Sequence, residues 1–143
     1  SGLFGGVGPS GVVKNLTVYG TVTSTNGTVG GLTGWLGGKL ENCTNYVNVT
    51  GTSDVGGLVG NAETKSQVLN CVNYGNVTST GSESRVGGLA GTGKSVFTNC
   101  VNFGNITGTQ PSITASMNLT ILNSLSLLNF IVSISIYFIT III

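Results

Sequence analysis

Two sequence blocks that recur together four times constrain this chain more than any other feature. The second block reads NLTVYGTVT, NCTNYVNVT, NCVNYGNVT and NCVNFGNIT, starting at residues 15, 42, 70 and 99. The first block precedes it each time, as SGLFG, GGLTG, GGLVG and GGLAG. The starts of the second block are 27, 28 and 29 residues apart. A period of this length predicts stacked units that bury a shared core.

The aligned blocks place apolar residues in columns, which we predict to be the core of the stack. The predicted core columns are Cys43, Cys71 and Cys100; Tyr19, Tyr46, Tyr74 and Phe103; and Val22, Val49, Val77 and Ile106. The columns lie three residues apart, which fits neither a helical period nor strict strand alternation. This spacing favours short strands broken by bends, with Asn or with Gly75 and Gly104 supplying unusual backbone angles. A bundle of polyproline-II-like segments is the alternative. We therefore predict an all-β fold, a β-solenoid of about four repeats of ~28 residues over 1–109.

This pattern resembles the GLUG repeat, which is named for a G-L-any-G block and occurs in large secreted and surface proteins. The block stands here at 2–5, 31–34, 57–60 and 88–91, each time followed by the Asn-rich segment. The resemblance covers residues 1 to about 109 and implies an adhesin-like or matrix-like β-solenoid stalk. Some proteins with these repeats also carry a zinc peptidase domain, but no H-E-x-x-H motif occurs in this chain.

The string GLAGTGKS, from Gly88 to Ser95, matches a phosphate-binding P-loop letter by letter. Its first two glycines, however, are the G-L-x-G glycines of the fourth repeat. A working P-loop opens a helix, whereas VFTNCVNFG follows here and is β-branched and aromatic. No acidic residue occurs after Glu83 to hold magnesium. The sequence therefore predicts no nucleotide binding.

Composition argues against catalysis. Charged residues make up 6 % of the chain, and there is no His, which removes the commonest general base and metal ligand. The acidic residues are Glu41, Asp54, Glu63 and Glu83, and they form no recurrent pair. A net charge of +1 without a basic cluster predicts no nucleic-acid partner. We expect no catalytic residue, no cofactor and no metal site.

The three cysteines occupy one column, one in each of the last three repeats. In-register rungs would bring their Cα atoms to about 4.8 Å, within the disulfide range. We expect a buried column of free thiols, with one disulfide as the alternative. Trp35 occurs once, in the insertion-like LTGWLGG. We expect it to be a packing anchor, with a carbohydrate platform as the alternative.

Seven N-x-S/T sequons are candidate N-glycosylation sites: Asn15, Asn26, Asn42, Asn48, Asn76, Asn105 and Asn118. Glycans on every rung of one column would be crowded at a spacing of roughly 5 Å. The competing interpretation is a hydrogen-bonded Asn ladder along the stack. The sequence favours neither.

The C-terminal segment differs in character from the repeats. We divide it into a linker, 110–118, and a hydrophobic tail, 119–143, which carries no charged residue. The tail fits a GPI-attachment signal, a retained membrane segment, or a strand that caps or joins solenoids. All three interpretations suit a surface protein.

Together these features predict a non-catalytic, extracellular stalk with a structural or adhesive role. We expect it to be held at or near a cell surface, with residues 119–143 as the candidate membrane contact. Its expected partners are copies of itself, surface glycans or surface proteins. The alternative is a self-assembling subunit of an extracellular filament, because open solenoid ends can associate.

Overall fold

The computed structural model of the protein describes residues 1–108 and 110–111. These residues form a β-solenoid of four rungs and contain no helix. Each rung contributes once to each of four parallel sheets, and each sequence repeat adds one rung to the stack. The predicted β-solenoid of about four repeats is confirmed.

The first two sheets each take one strand from every rung. The first sheet contains β1 (Phe4–Val7), β5 (Thr33–Leu36), β9 (Val59–Ala62) and β14 (Ala90–Gly93). The second contains β2 (Val12–Lys14), β6 (Lys39–Glu41), β10 (Gln67–Leu69) and β15 (Val96–Thr98).

The third sheet carries the Asn-rich block, and the fourth closes each rung. The third contains β3 (Thr17–Thr23), β7 (Thr44–Gly51), β11 (Val72–Asn73), β12 (Val77–Ser79), β16 (Val101–Asn102) and β17 (Ile106–Thr107). The fourth contains β4 (Val29–Gly30), β8 (Val55–Gly56), β13 (Arg85–Gly87) and β18 (Gln110–Pro111).

Equivalent residues of the repeats lie side by side in adjacent rungs. Tyr19 is in register with Tyr46, and Val49 with Val77, which in turn pairs with Ile106. Parallel pairing without slippage means that every column of the sequence alignment becomes a physical column at about 4.8 Å spacing.

An asparagine turns the chain at the corner between the second and third sheets. Asn15, Asn42, Asn70 and Asn99 each adopt a left-handed backbone conformation, with φ between 52° and 56°. Asn visits this region more readily than other residues with a side chain. Each repeat therefore bends at its first Asn, as the sequence indicated for Asn. Gly75 and Gly104 do not have positive φ, so that part of the prediction was wrong.

Two apolar clusters fill the interior. The larger one contains the leucines of the G-L-x-G blocks, Leu32, Leu58 and Leu89, together with the three cysteines. The smaller one contains Val49 and Val77, with Val22 and Ile106 partly buried against it in the outer rungs. The cysteine and valine columns are thus core, as predicted.

The aromatic column is not core, which corrects the prediction for Tyr19, Tyr46, Tyr74 and Phe103. These side chains are 72 %, 42 %, 45 % and 64 % exposed, respectively. The third-sheet strands do alternate: Cys43, Asn45, Val47 and Val49 are buried, whereas Tyr46 and Asn48 are exposed. The apolar residues Cys43, Tyr46 and Val49 are three apart in the sequence, but Tyr46 faces outward, and the inward position next to it is occupied by the polar Asn45.

The fourth sheet reaches beyond the predicted end of the repeats. Gln110 pairs with Arg85 and Pro111 with Val86, so the solenoid includes the first two residues of the predicted linker. The rest of that linker and the hydrophobic tail, including Asn118, lie outside the described residues. No helix within the described part of the chain is long and apolar enough to span a membrane.

Candidate functional site

The outward surface of the third sheet presents a stacked aromatic column. Ring centroids of Tyr19 and Tyr46 are 4.9 Å apart, those of Tyr46 and Tyr74 4.8 Å, and those of Tyr74 and Phe103 5.1 Å. The interplanar angles are 3°, 6° and 14°. Because each ring covers the face of its neighbour, the column exposes mainly ring edges along its length. This arrangement stabilises the stack of rungs, and it leaves few ring faces open to a ligand.

A second outward column contains the sequon residues Asn48, Asn76 and Asn105. The Asn76 backbone N–H donates to Oδ1 of Asn48 at 2.9 Å, and the Asn105 N–H donates to Oδ1 of Asn76 at 3.0 Å. All three residues are exposed. Their Nδ2 groups, the atoms to which a glycan would be attached, make no hydrogen bond to the described residues.

The corner asparagines form a different column, in which the amide nitrogens of Asn42, Asn70 and Asn99 are used and Asn15, at the first rung, only accepts. Nδ2 of Asn42 donates to Oδ1 of Asn15 at 3.2 Å, Asn70 donates to Asn42 at 3.1 Å, and Asn99 donates to Asn70 at 3.1 Å. The Asn42 sequon therefore has its amide engaged in a ladder, in contrast to Asn48. Asn26 is exposed in the turn after β3.

A third Asn column is buried inside the solenoid, and the sequence analysis did not identify it as a site. Nδ2 of Asn45 donates to Oδ1 of Asn73 at 2.8 Å, and Nδ2 of Asn73 donates to Oδ1 of Asn102 at 2.7 Å. Asn45 also donates to the Gly57 carbonyl at 2.9 Å. The ladder thus joins the Asn-rich block to the G-L-x-G block. The available signal was the recurrence of Asn in one column, followed two residues later by Gly in the last two repeats.

The buried ladder ends at Asn45 in the second rung, because the first rung has no Asn in this column. Oδ1 of Asn45 is buried and has no hydrogen-bond partner. Its equivalent in rung 3, Oδ1 of Asn73, accepts from both Asn45 and the Gly75 N–H. In the lower rungs Val18 replaces the Asn, and Val47 replaces the Gly. Val18 in rung 1 therefore lacks the side-chain amide that would donate to Oδ1 of Asn45, and the Val47 N–H makes no hydrogen bond to that oxygen.

The cysteine column is reduced and enclosed. Cys43, Cys71 and Cys100 are free and buried, and their thiols donate to backbone carbonyls, such as that of Leu69 at 3.1 Å from Cys71. Hydrogen bonds with the thiols of Cys100 and Cys43, and then burial, raise the pKa of Cys71. The same bonds with Cys71 lower the pKa of Cys43 to about 6 and lower the pKa of Cys100. Cys71 is therefore held in its neutral form and is a poor nucleophile, and burial limits access to all three thiols.

The P-loop-like string is part of the stack. Ala90 to Gly93 form β14, which pairs with β9, and the Lys94 N–H donates to the Ala62 carbonyl at 3.0 Å. The segment thus has the geometry of a strand followed by another strand, β15, whereas phosphate binding by this motif requires a loop that opens a helix.

Charged groups on the described surface pair locally. Arg85 holds the mostly buried carboxylate of Asp54 through two hydrogen bonds, at 2.7 Å and 3.0 Å. Lys39 and Glu41 form an ion pair at 2.8 Å, and the hydrogen bond from Lys39 lowers the pKa of Glu41. No group of three or more His, Cys, Asp or Glu side chains suited to a metal ion occurs among residues 1–108.

Comparison with known proteins gives one partial similarity. A stretch of 65 residues, 46 % of this chain, is 38 % identical to halomucin from Haloquadratum walsbyi, and it spans about 1 % of the length of that protein. No protein-family model matches the chain, and no solved structure matches it. The solenoid fold and this similarity are compatible with an extracellular repeat protein.

Proposed function

We propose that this chain is a non-catalytic structural or adhesive repeat element, a stalk at a cell surface. The observation that carries the proposal is the continuity of the side-chain columns through the stack. Aromatic rings and three Asn columns run through successive rungs in register, which makes a rod whose units support one another. A rigid spacer needs this property and needs no reactive group.

The outer surface is consistent with an extracellular setting. Exposed positions carry mostly Thr, Asn, Ser and Gly, and the whole chain has nine charged residues, five basic and four acidic. Halomucin is by its name a mucin, a term for extracellular glycoproteins. We extend this to the present chain as part of the proposal, together with membership among GLUG-type surface repeats.

Surface location is testable on intact producing cells with a membrane-impermeant amine reagent. Lys14, Lys65 and Lys94 are exposed on the solenoid and should react. The proposal predicts labelling of the chain on intact cells, with a cytosolic protein of the same cells remaining unlabelled. Labelling of the chain only after lysis would contradict the proposal.

Self-assembly into a filament is the second candidate, favoured by the surface of the first rung. Leu3, Phe4 and Val12 are 51 %, 39 % and 56 % exposed there, and Tyr19 of the same rung is 72 % exposed. The strands β1 to β4 are terminal in their sheets, and such edges pair with further strands. Sedimentation velocity of the full chain over a hundredfold concentration range should show growing species if this is correct. A single, concentration-independent species would exclude assembly under those conditions.

A further inference from the structure

A cleft on the outside of the solenoid, at the corner between the first and second sheets, departs from the repeat. Its volume is about 290 Å³, and it is lined by Pro9, Trp35, Gly37, Glu63, Thr64 and Lys65. The cleft spans three rungs, since Pro9 belongs to rung 1, Trp35 to rung 2 and Glu63 to rung 3. In the register of the first sheet, the positions equivalent to Trp35 are Gly6, Asn61 and Thr92. Only the second rung places an aromatic ring there.

The indole of Trp35 is held in a fixed position. Its Nε1–H donates to Oε1 of Glu63 at 2.9 Å. Its benzo ring occupies space that Gly37 leaves open, because a Cβ there would come within 2.6 Å of Cη2. The ring also lies over Gly6, where a Cβ would be in ordinary van der Waals contact with Cε3 at 3.5 Å. Trp35 is only partly buried. The ring is therefore pre-organised and still reachable, which reduces the ordering cost of binding.

The polar groups of the cleft restrict the class of ligand. Glu63 contributes a carboxylate whose second oxygen, Oε2, remains available as an acceptor, and Lys65 contributes an exposed ammonium. The two formal charges cancel, so the cleft favours a neutral ligand. An apolar aromatic wall beside one strong acceptor and one strong donor suits a molecule with a C–H face and several hydroxyls.

We propose that this cleft binds one neutral pyranose unit of a glycan, with its C–H face on Trp35 and its hydroxyls on Glu63 and Lys65. The inference rests on the proposed function, to which it adds an adhesive site and a ligand class. A volume of about 290 Å³ is enough for a single sugar ring. Because such a ligand has about a dozen non-hydrogen atoms, the expected Kd is on the order of 1 mM.

Intrinsic fluorescence tests this directly, because Trp35 is the one tryptophan in the chain. The full chain is titrated with the methyl glycosides of glucose, mannose and N-acetylglucosamine. The proposal predicts a saturable change in emission for at least one of them. Glu63→Gln keeps a carbonyl for the indole N–H but removes the charged acceptor, and Lys65→Met removes the donor while keeping the stem. Each should weaken binding by about tenfold.

Lys94→Met is the matched control. Lys94 is an exposed lysine in the corresponding loop of the next rung and does not line the cleft, so this variant should bind as the unmodified chain does. Far-UV circular dichroism confirms that each variant retains the solenoid.

Three results would overturn the proposal. The first is that no glycoside gives a saturable change in Trp35 emission up to about 100 mM. The second is that the Glu63→Gln and Lys65→Met variants both bind as the unmodified chain does, and the third is that tetramethylammonium binds and the sugars do not. The last would mark a cation–π site. None of these outcomes bears on surface labelling of intact cells, so failure of the cleft and failure of the stalk function remain distinguishable.

Discussion

At the scale of single residues, the buried asparagines depend most strongly on their neighbours for hydrogen bonds. Asn73 is fully buried, and its amide donates to the Gly75 carbonyl at 2.8 Å and to Asn102, while its Oδ1 accepts from Asn45 and from the Gly75 N–H. A buried amide is tolerated only when its groups are paired. This side chain satisfies that condition through contacts within its own rung and with both neighbouring rungs.

Replacing Asn73 should therefore be costly. We expect Asn73→Ala to reduce the free energy of unfolding by about 3 kcal/mol, because four hydrogen bonds are lost and their partners stay buried. The control is Asn76→Ala in the same rung, whose exposed side chain accepts one bond, so the loss should be below about 1 kcal/mol. Urea denaturation followed by circular dichroism measures both. Equal losses would contradict the role of the buried ladder.

The glycines of the G-L-x-G block are also fixed by contacts between rungs. A Cβ on Gly57 would overlap Nδ2 of Asn73 and the Gly88 carbonyl, whereas a Cβ on Gly5 would meet nothing within 4 Å. The block therefore places its first glycine against the Asn ladder. This contact explains why the two sequence blocks recur together in the last three repeats.

Alanine substitutions at these two glycines should differ sharply. We expect Gly57→Ala to lower the free energy of unfolding by at least ~2 kcal/mol through steric overlap, and Gly5→Ala to change it by less than about 0.5 kcal/mol. Thermal unfolding of the two variants under identical conditions provides the comparison. A mild effect at Gly57 would mean that the rungs can separate locally without loss of the ladder.

At the scale of the strand, the third sheet shows where sequence reasoning succeeded and where it failed. The cysteine and valine columns were predicted as core correctly, because apolar side chains in register bury one another. The aromatic column was assigned to the core on the same argument, and it lies outside. Composition did not indicate that Asn45 and its equivalents face inward, since an inward Asn becomes favourable only once neighbouring rungs supply its partners.

The exposed rings should contribute in proportion to the number of neighbours they stack on. Tyr46 stacks on Tyr19 and Tyr74, whereas Tyr19 has one ring neighbour among the described residues. We expect Tyr46→Ala to lower the free energy of unfolding by ~2 kcal/mol and Tyr19→Ala by about half as much. Urea denaturation of both single variants measures the ratio. If Tyr19→Ala costs as much as Tyr46→Ala, stacking is not the source of the stabilisation.

At the scale of the whole molecule, the repeat in the sequence was sufficient to predict the solenoid, the number of rungs and their length. It could not predict the Trp35 cleft, because that site consists of departures from the repeat contributed by three rungs. The loop lengths that bring Pro9, Trp35 and Lys65 together follow no periodic rule. A regular stack thus provides a rigid scaffold, and the irregular positions on it are the places to look for specific recognition.

The central claim is that residues one repeat apart stack directly on one another, and NMR of the ring protons tests it most directly. The stack predicts nuclear Overhauser contacts from Tyr19 to Tyr46, from Tyr46 to Tyr74 and from Tyr74 to Phe103, at ring separations of 4.8 to 5.1 Å. It predicts no contact between Tyr19 and Tyr74, which are two rungs apart at about 9.6 Å. Absence of the first three contacts, or a direct contact between Tyr19 and Phe103, would contradict the four-rung solenoid.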